Sequence, residues 1–105
     1  MTASRKALPS DLVNEYGYTI GAASTPILNV SRARRAVILT NGGTTTISIG
    51  LSSEDAAGKG IIINPGVDPL ILCRDEFAPY VCSQLYAISS AAGGILGVVE
   101  IVDQN

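Results

Sequence analysis

Apolar residues in this 105-residue chain fall into short runs, two of them alternating with period two, separated by clusters of Gly, Pro, Asn, Ser and Asp. Thr44 to Leu51 is the clearest run: Ile47, Ile49 and Leu51 share one phase, while Thr46, Ser48 and Gly50 share the other. Successive side chains of a strand point to opposite faces, so this alternation predicts a half-buried strand. Arg34 to Thr40 is β-branched and apolar and predicts another. Between the two runs, Asn41-Gly42-Gly43 supplies residues tolerant of positive φ. Together the runs read as a β-hairpin. Ile27 to Val30, Gly60 to Ile63, Leu70 to Cys73, Leu85 to Ile88 and Ile95 to Val102 complete the strand pattern. In the last of these, Val99 and Ile101 oppose Val98, Glu100 and Val102. Asn64-Pro65-Gly66 reads as a turn in which Pro sets φ and Gly takes the left-handed position. Ser52 to Lys59 reads as an exposed loop, and Arg74 to Val81 as a charged, then aromatic, loop around Pro79.

About seven short strands, with turn signals roughly every 8 to 12 positions, predict an all-β antiparallel β-sandwich, jelly-roll or Ig-like. Residues 26–105 form that domain. Residues 1–25 show no sustained period. Ser10 or Asp11 suits the cap of a single helical turn over Leu12 to Glu15, which Gly17 and the β-prone Tyr18 to Ile20 then stop. The segment is expected to be an extended N-terminal arm carrying Leu12, Tyr16 and Tyr18. It lies across its own domain or, the favoured arrangement, docks on a neighbour. Deleting residues 1–20 is then expected to spare the fold and weaken attachment.

Composition sharpens this picture. Charged residues are 15% of the chain, against roughly 25% in an average soluble domain. So bland a surface predicts cover by other subunits; the alternative is a monomer that relies on Ser, Thr, Asn and Gly for solvation. The net charge of −2 argues against nucleic acid as a partner, because phosphate binding needs a stripe of Lys and Arg. Met1 to Lys6 carries basic residues with no apolar core behind them, so no signal peptide is expected. No run approaches the roughly 18 apolar residues of a membrane span.

The catalytic inventory is thin. The chain has no histidine, which removes the commonest general base and metal ligand. Glu54-Asp55 and Asp75-Glu76 are adjacent pairs in loops, where neighbours point apart rather than across a bond. Cys73 and Cys82 supply two ligands where a zinc site needs about four, and read as small buried hydrophobes. Gly58-Lys59 fails as a phosphate loop: Ser53 stands where Gly is required, and Gly60 replaces the metal-binding hydroxyl. Asn29-Val30-Ser31 matches a glycosylation acceptor, a match with little meaning in the absence of a secretory signal. No enzymatic activity, cofactor or metal is therefore expected. Arg32, Arg34 and Arg35 form the one basic cluster. They serve either to line a strand edge against wrong pairing or to meet carboxylates on an adjacent subunit.

The stretches Arg34 to Asn41, Ile47 to Leu51, Ile61 to Gly66, Tyr86 to Ile88 and Gly97 to Val102 resemble small β-sandwich virion proteins of tailed bacteriophages. The likeness covers about 70 of the 105 residues, excludes the arm, and rests on turn and core features, which speak for fold more than function. It implies a capsid decoration (cement) protein or a head-fibre-base protein, made in the host cytoplasm and placed on the outer capsid surface of the virion. Its partners would be the major capsid protein and copies of itself, with a trimer favoured. The chain departs from the commoner pattern at Arg74 to Val81, where Phe77 and Tyr80 offer either an aromatic anchor for a partner or a loop folded over the sandwich end. The alternative function is a host-surface or carbohydrate-binding module on a virion fibre, using the faces of Tyr16, Tyr18, Phe77, Tyr80 and Tyr86.

Overall fold

The computed structural model describes residues 11–53 and 58–103. Eight strands and one short helix follow in order: β1 (Leu12–Ile20), β2 (Thr25–Leu28), β3 (Arg34–Asn41), β4 (Ile47–Gly50), β5 (Ile61–Ile63), β6 (Leu70–Cys73), α1 (Arg74–Val81), β7 (Leu85–Ser89) and β8 (Gly94–Val102). They form two four-stranded sheets, ordered β1-β8-β3-β6 and β2-β7-β4-β5. Every pairing is antiparallel. The chain changes sheet at every connection but β4 to β5, which is the jelly-roll way of closing two packed sheets.

Alternation decides what the sheets enclose. Val37, Leu39, Leu96 and Val98 point inward from the first sheet, Ile47, Ile49, Leu85 and Ala87 from the second, and none is more than 1% exposed. Each fully buried aliphatic side chain of this kind contributes about 1.5–3 kcal/mol. Asn41 closes one corner: its amide nitrogen donates to the carbonyls of Thr45 and Ile63, and its oxygen accepts from Gly43 N–H. The turn after β5 is as expected, with Gly66 at a φ of 77°.

Several expectations are corrected. Leu12 to Ile20 forms no helical turn; it is extended, as expected, but of the two arrangements it takes the one not favoured and lies on its own domain, as an edge strand in unbroken register with β8 from Leu12–Val102 to Ile20–Gly94. The β-branched and aromatic content of Val13, Tyr16, Tyr18 and Ile20 suits that pairing. Residues 1–10, the rest of the expected arm, lie outside the described residues, as does the Glu54-Asp55 pair. The Asn41-Gly42-Gly43 hairpin does not form. β3 lies between β8 and β6 in the first sheet and β4 in the second, so the turn is a sheet-to-sheet corner. Among the described residues, positive φ falls at Gly58, Gly60, Gly66 and Gly93 instead. Arg74 to Val81 is a short helix broken at Phe77, whose φ of −134° and ψ of 42° are non-helical. That break lets Pro79 sit near the start of the second turn, where its missing N–H costs nothing.

Candidate binding cleft

A β-bulge brings a buried ion pair into the interior. Between Arg34 and Ala36 the β3–β8 register shifts, with Arg34 opposite Val102 and Ala36 opposite Ile101. The extra residue reverses the alternation, so Arg34 turns inward although it is out of phase with Val37 and Leu39. On β8, Glu100 is in phase with Leu96 and Val98 and points to the same space. The two meet with Arg34 Nε 2.8 Å from Glu100 Oε1, side chains 2% and 9% exposed.

Both members of the pair are held by further partners. Arg34 Nη1 donates to the carbonyls of Val81 and Ser83, and Nη2 to that of Asn29, at 2.8, 3.2 and 2.7 Å. Glu100 Oε2 accepts from the Tyr16 hydroxyl at 2.9 Å and the Asn14 amide at 3.1 Å. Burial alone pushes the Glu100 carboxyl up. Hydrogen bonds from Arg34, Tyr16 and Asn14, with the Arg34 charge, outweigh it and hold the group below the ordinary value of 4.5. The Tyr16 phenol is raised, first by its hydrogen bond to Glu100 and then by burial. Tyr18 is raised by burial, then by the Glu100 charge.

Above the pair lies an open cleft of about 310 Å³ between the edge strands β1 and β2, lined by Tyr16, Tyr18, Ile27, Leu28, Asn29 and Val30 among others. The Tyr16 and Tyr18 ring centroids are 6.3 Å apart, and the Tyr18 hydroxyl donates to the Ile27 carbonyl. This arrangement holds an ionised carboxylate and protonated phenols in fixed places. A general acid at neutral pH needs a raised carboxyl, the opposite of what Glu100 has.

The fold thus brings Tyr16, Tyr18 and Arg34 to one place and disperses the rest. Leu12 is exposed at the start of β1, and Arg32 is exposed with its carbonyl accepting from Arg74 Nη1. The basic cluster is not one surface: Arg34 is buried and Arg35 meets Asp103 at 3.3 Å. β3 is an interior strand, so the cluster guards no edge, and Arg34 is buried at the floor of the cleft. Phe77 is 44% exposed, whereas Tyr80 packs on the core from α1. Cys73 and Cys82 are free and half-buried. The residues missed by sequence reading are Asn14 and Glu100. Glu100 left a signal, a charge in phase with Val98. Arg34 left none, because a bulge is invisible to alternation.

No known protein family matches this chain, and no curated protein does. A solved chain from Bacillus endospore appendages, described as a novel family of disulfide-linked pili, shares the fold. It has a TM-score of 0.51 and 11% identity, covering 100% of this chain and 96% of that one.

Proposed function

We propose that this chain is a non-enzymatic structural subunit, a decoration protein that binds the outer surface of a phage head and bridges neighbouring major capsid proteins. The observation that carries the reading is the distribution of polarity. Buried charges are spent on one another, Glu100 on Arg34 and Asp103 on Arg35 and Arg74. Meanwhile Val13, Ile62, Ile71, Phe77 and Ile95 stand 44% or more exposed. A surface short of charge and rich in large apolar side chains suits burial against protein. Jelly rolls are a common architecture of virion shells, and the pilus likeness supports the same broad role of a building block. Co-sedimentation with empty head shells tests the reading: saturable binding supports it, and recovery of all the protein in the supernatant refutes it.

A second reading, a host-surface or carbohydrate-binding module, is favoured by one observation, the tyrosine pair at the mouth of the cleft. Binding of the purified protein to a glycan array, lost in Tyr16→Ala, would promote it over the first.

A further inference from the structure

The outer face of the β1-β8-β3-β6 sheet is apolar, and nothing in the chain's described residues covers it. Strand register aligns its side chains in rows. Val13, Ile101, Ala36 and Cys73 make the first row. Glu15, Val99, Ile38 and Ile71 make the second, in which Glu15 is the one charge of these rows; past the first row, Asp103 pairs with Arg35 and Arg74 at the end of the face. Gly17, Gly97 and Thr40 make the third, and Thr19 and Ile95 the fourth. Val13 is 52% exposed, Ile71 60% and Ile95 52%. An antiparallel sheet with one face in water normally alternates apolar-in and polar-out, and this one does not.

The third row carries a second anomaly. Gly17 and Gly97 pair directly, in mid-strand, and neither has positive φ. A Cβ on Gly17 would meet nothing within 4 Å, and one on Gly97 would meet Thr40 Cβ at 3.7 Å, an ordinary contact. The monomer requires neither glycine, and each weakens its strand. Glycine inside a strand often marks the close approach of another surface.

We propose that a second copy of this chain packs on this face, sheet against sheet, about a two-fold axis that crosses the strands between the second and third rows. The Val99–Ile38 ridge of each copy then fills the Gly97–Thr40 trough of the other, and Ile101 faces the partner copy's Ile95. The same patch serves both copies, as a two-fold contact demands. With strands about 4.8 Å apart and about 3.3 Å per residue, the face spans on the order of 500 Å². Two copies bury roughly 1,000 Å², the lower bound for a specific interface. This surface gives a dimer where the phage resemblance implies a trimer. The inference deepens the structural-subunit reading by naming the face through which the chain meets itself.

Size-exclusion chromatography with light scattering on wild type, Gly97→Val and Gly17→Val tests it, with Ile62→Glu on the other sheet as control. Wild type and the control should run at twice the 10.8 kDa chain mass. Both glycine variants should run at the chain mass with unchanged far-UV spectra, a weakening of dimerisation by about 100-fold or more for a filled central trough. A wild-type monomer up to about 100 µM, or a dimer or trimer indifferent to Gly97→Val, overturns the pairing. Shell binding by a protein that does not dimerise refutes the pairing and leaves the decoration reading standing. A dimer that ignores shells does the reverse.

Discussion

Replacing Glu100 by Gln removes a charge with almost no change of shape, which isolates the electrostatic part of the buried cluster. The amide oxygen that replaces Oε1 can still accept from Arg34 Nε. The amide nitrogen, however, then faces the Asn14 Nδ2 donor that Oε2 now accepts at 3.1 Å, so that bond is lost. Arg34, 2% exposed, keeps its charge without a counter-charge. A hydrogen bond to a charged group is worth about 1.5–3 kcal/mol, and breaking one side of a buried pair costs about 3–5. The expected loss for this milder change is about 3 kcal/mol at pH 7, a fall in Tm on the order of 10–20 °C for a domain this size. Because Glu100 titrates below its ordinary 4.5 in the folded protein, its contribution is complete above that value and is lost as pH falls through the lowered one. The gap between wild type and Glu100→Gln should therefore be full at pH 7 and narrow as pH falls through the lowered value, where the native carboxyl itself becomes neutral. Urea unfolding followed by far-UV circular dichroism over a descending pH series measures it. Equal midpoints at pH 7, or a deficit that stays constant down to the acid unfolding of the wild type, would refute the role given to the ion pair.

Two further outcomes follow from the backbone. Gly60 has a φ of 76°, and a Cβ there would lie 2.2 Å from the Ile49 carbonyl oxygen, so Gly60→Ala should cost about 3 kcal/mol or more by prising β5 from β4. Gly58→Ala, at a φ of 86° with nothing within 4 Å, should cost only about 1 kcal/mol; urea midpoints compare the two. Deleting residues 1–20 should abolish the native far-UV spectrum, because it strips β1 from β8 and takes Asn14 and Tyr16 from Glu100.

What the sequence revealed follows the reach of local rules. Short apolar runs bounded by turn residues located β6 to the residue, and alternation set Ile47 and Ile49 on one face, where both are buried, although Leu51 in the same phase is exposed. Partner choice was hidden. Asn41-Gly42-Gly43 suits a hairpin locally, yet Asn41 is tied to Ile63, 22 residues away, at a corner between sheets. The phase of Leu12 to Ile20 was masked by Asn14, Gly17 and the outward Glu15, and its strand character depends on β8, more than 70 residues on. Of the site, the aromatic pair was legible as residue type and the ion pair was not, since Arg34 reaches it through a bulge and Glu100 lies 66 residues away.

The most direct test of a decoration role is to image empty phage head shells after incubation with the purified protein. Ordered density at symmetry-related sites on the outer surface, saturating with added protein and bridging neighbouring capsomers, is the expected result. Bare shells at saturating protein, with the chain folded and intact in solution, would contradict it.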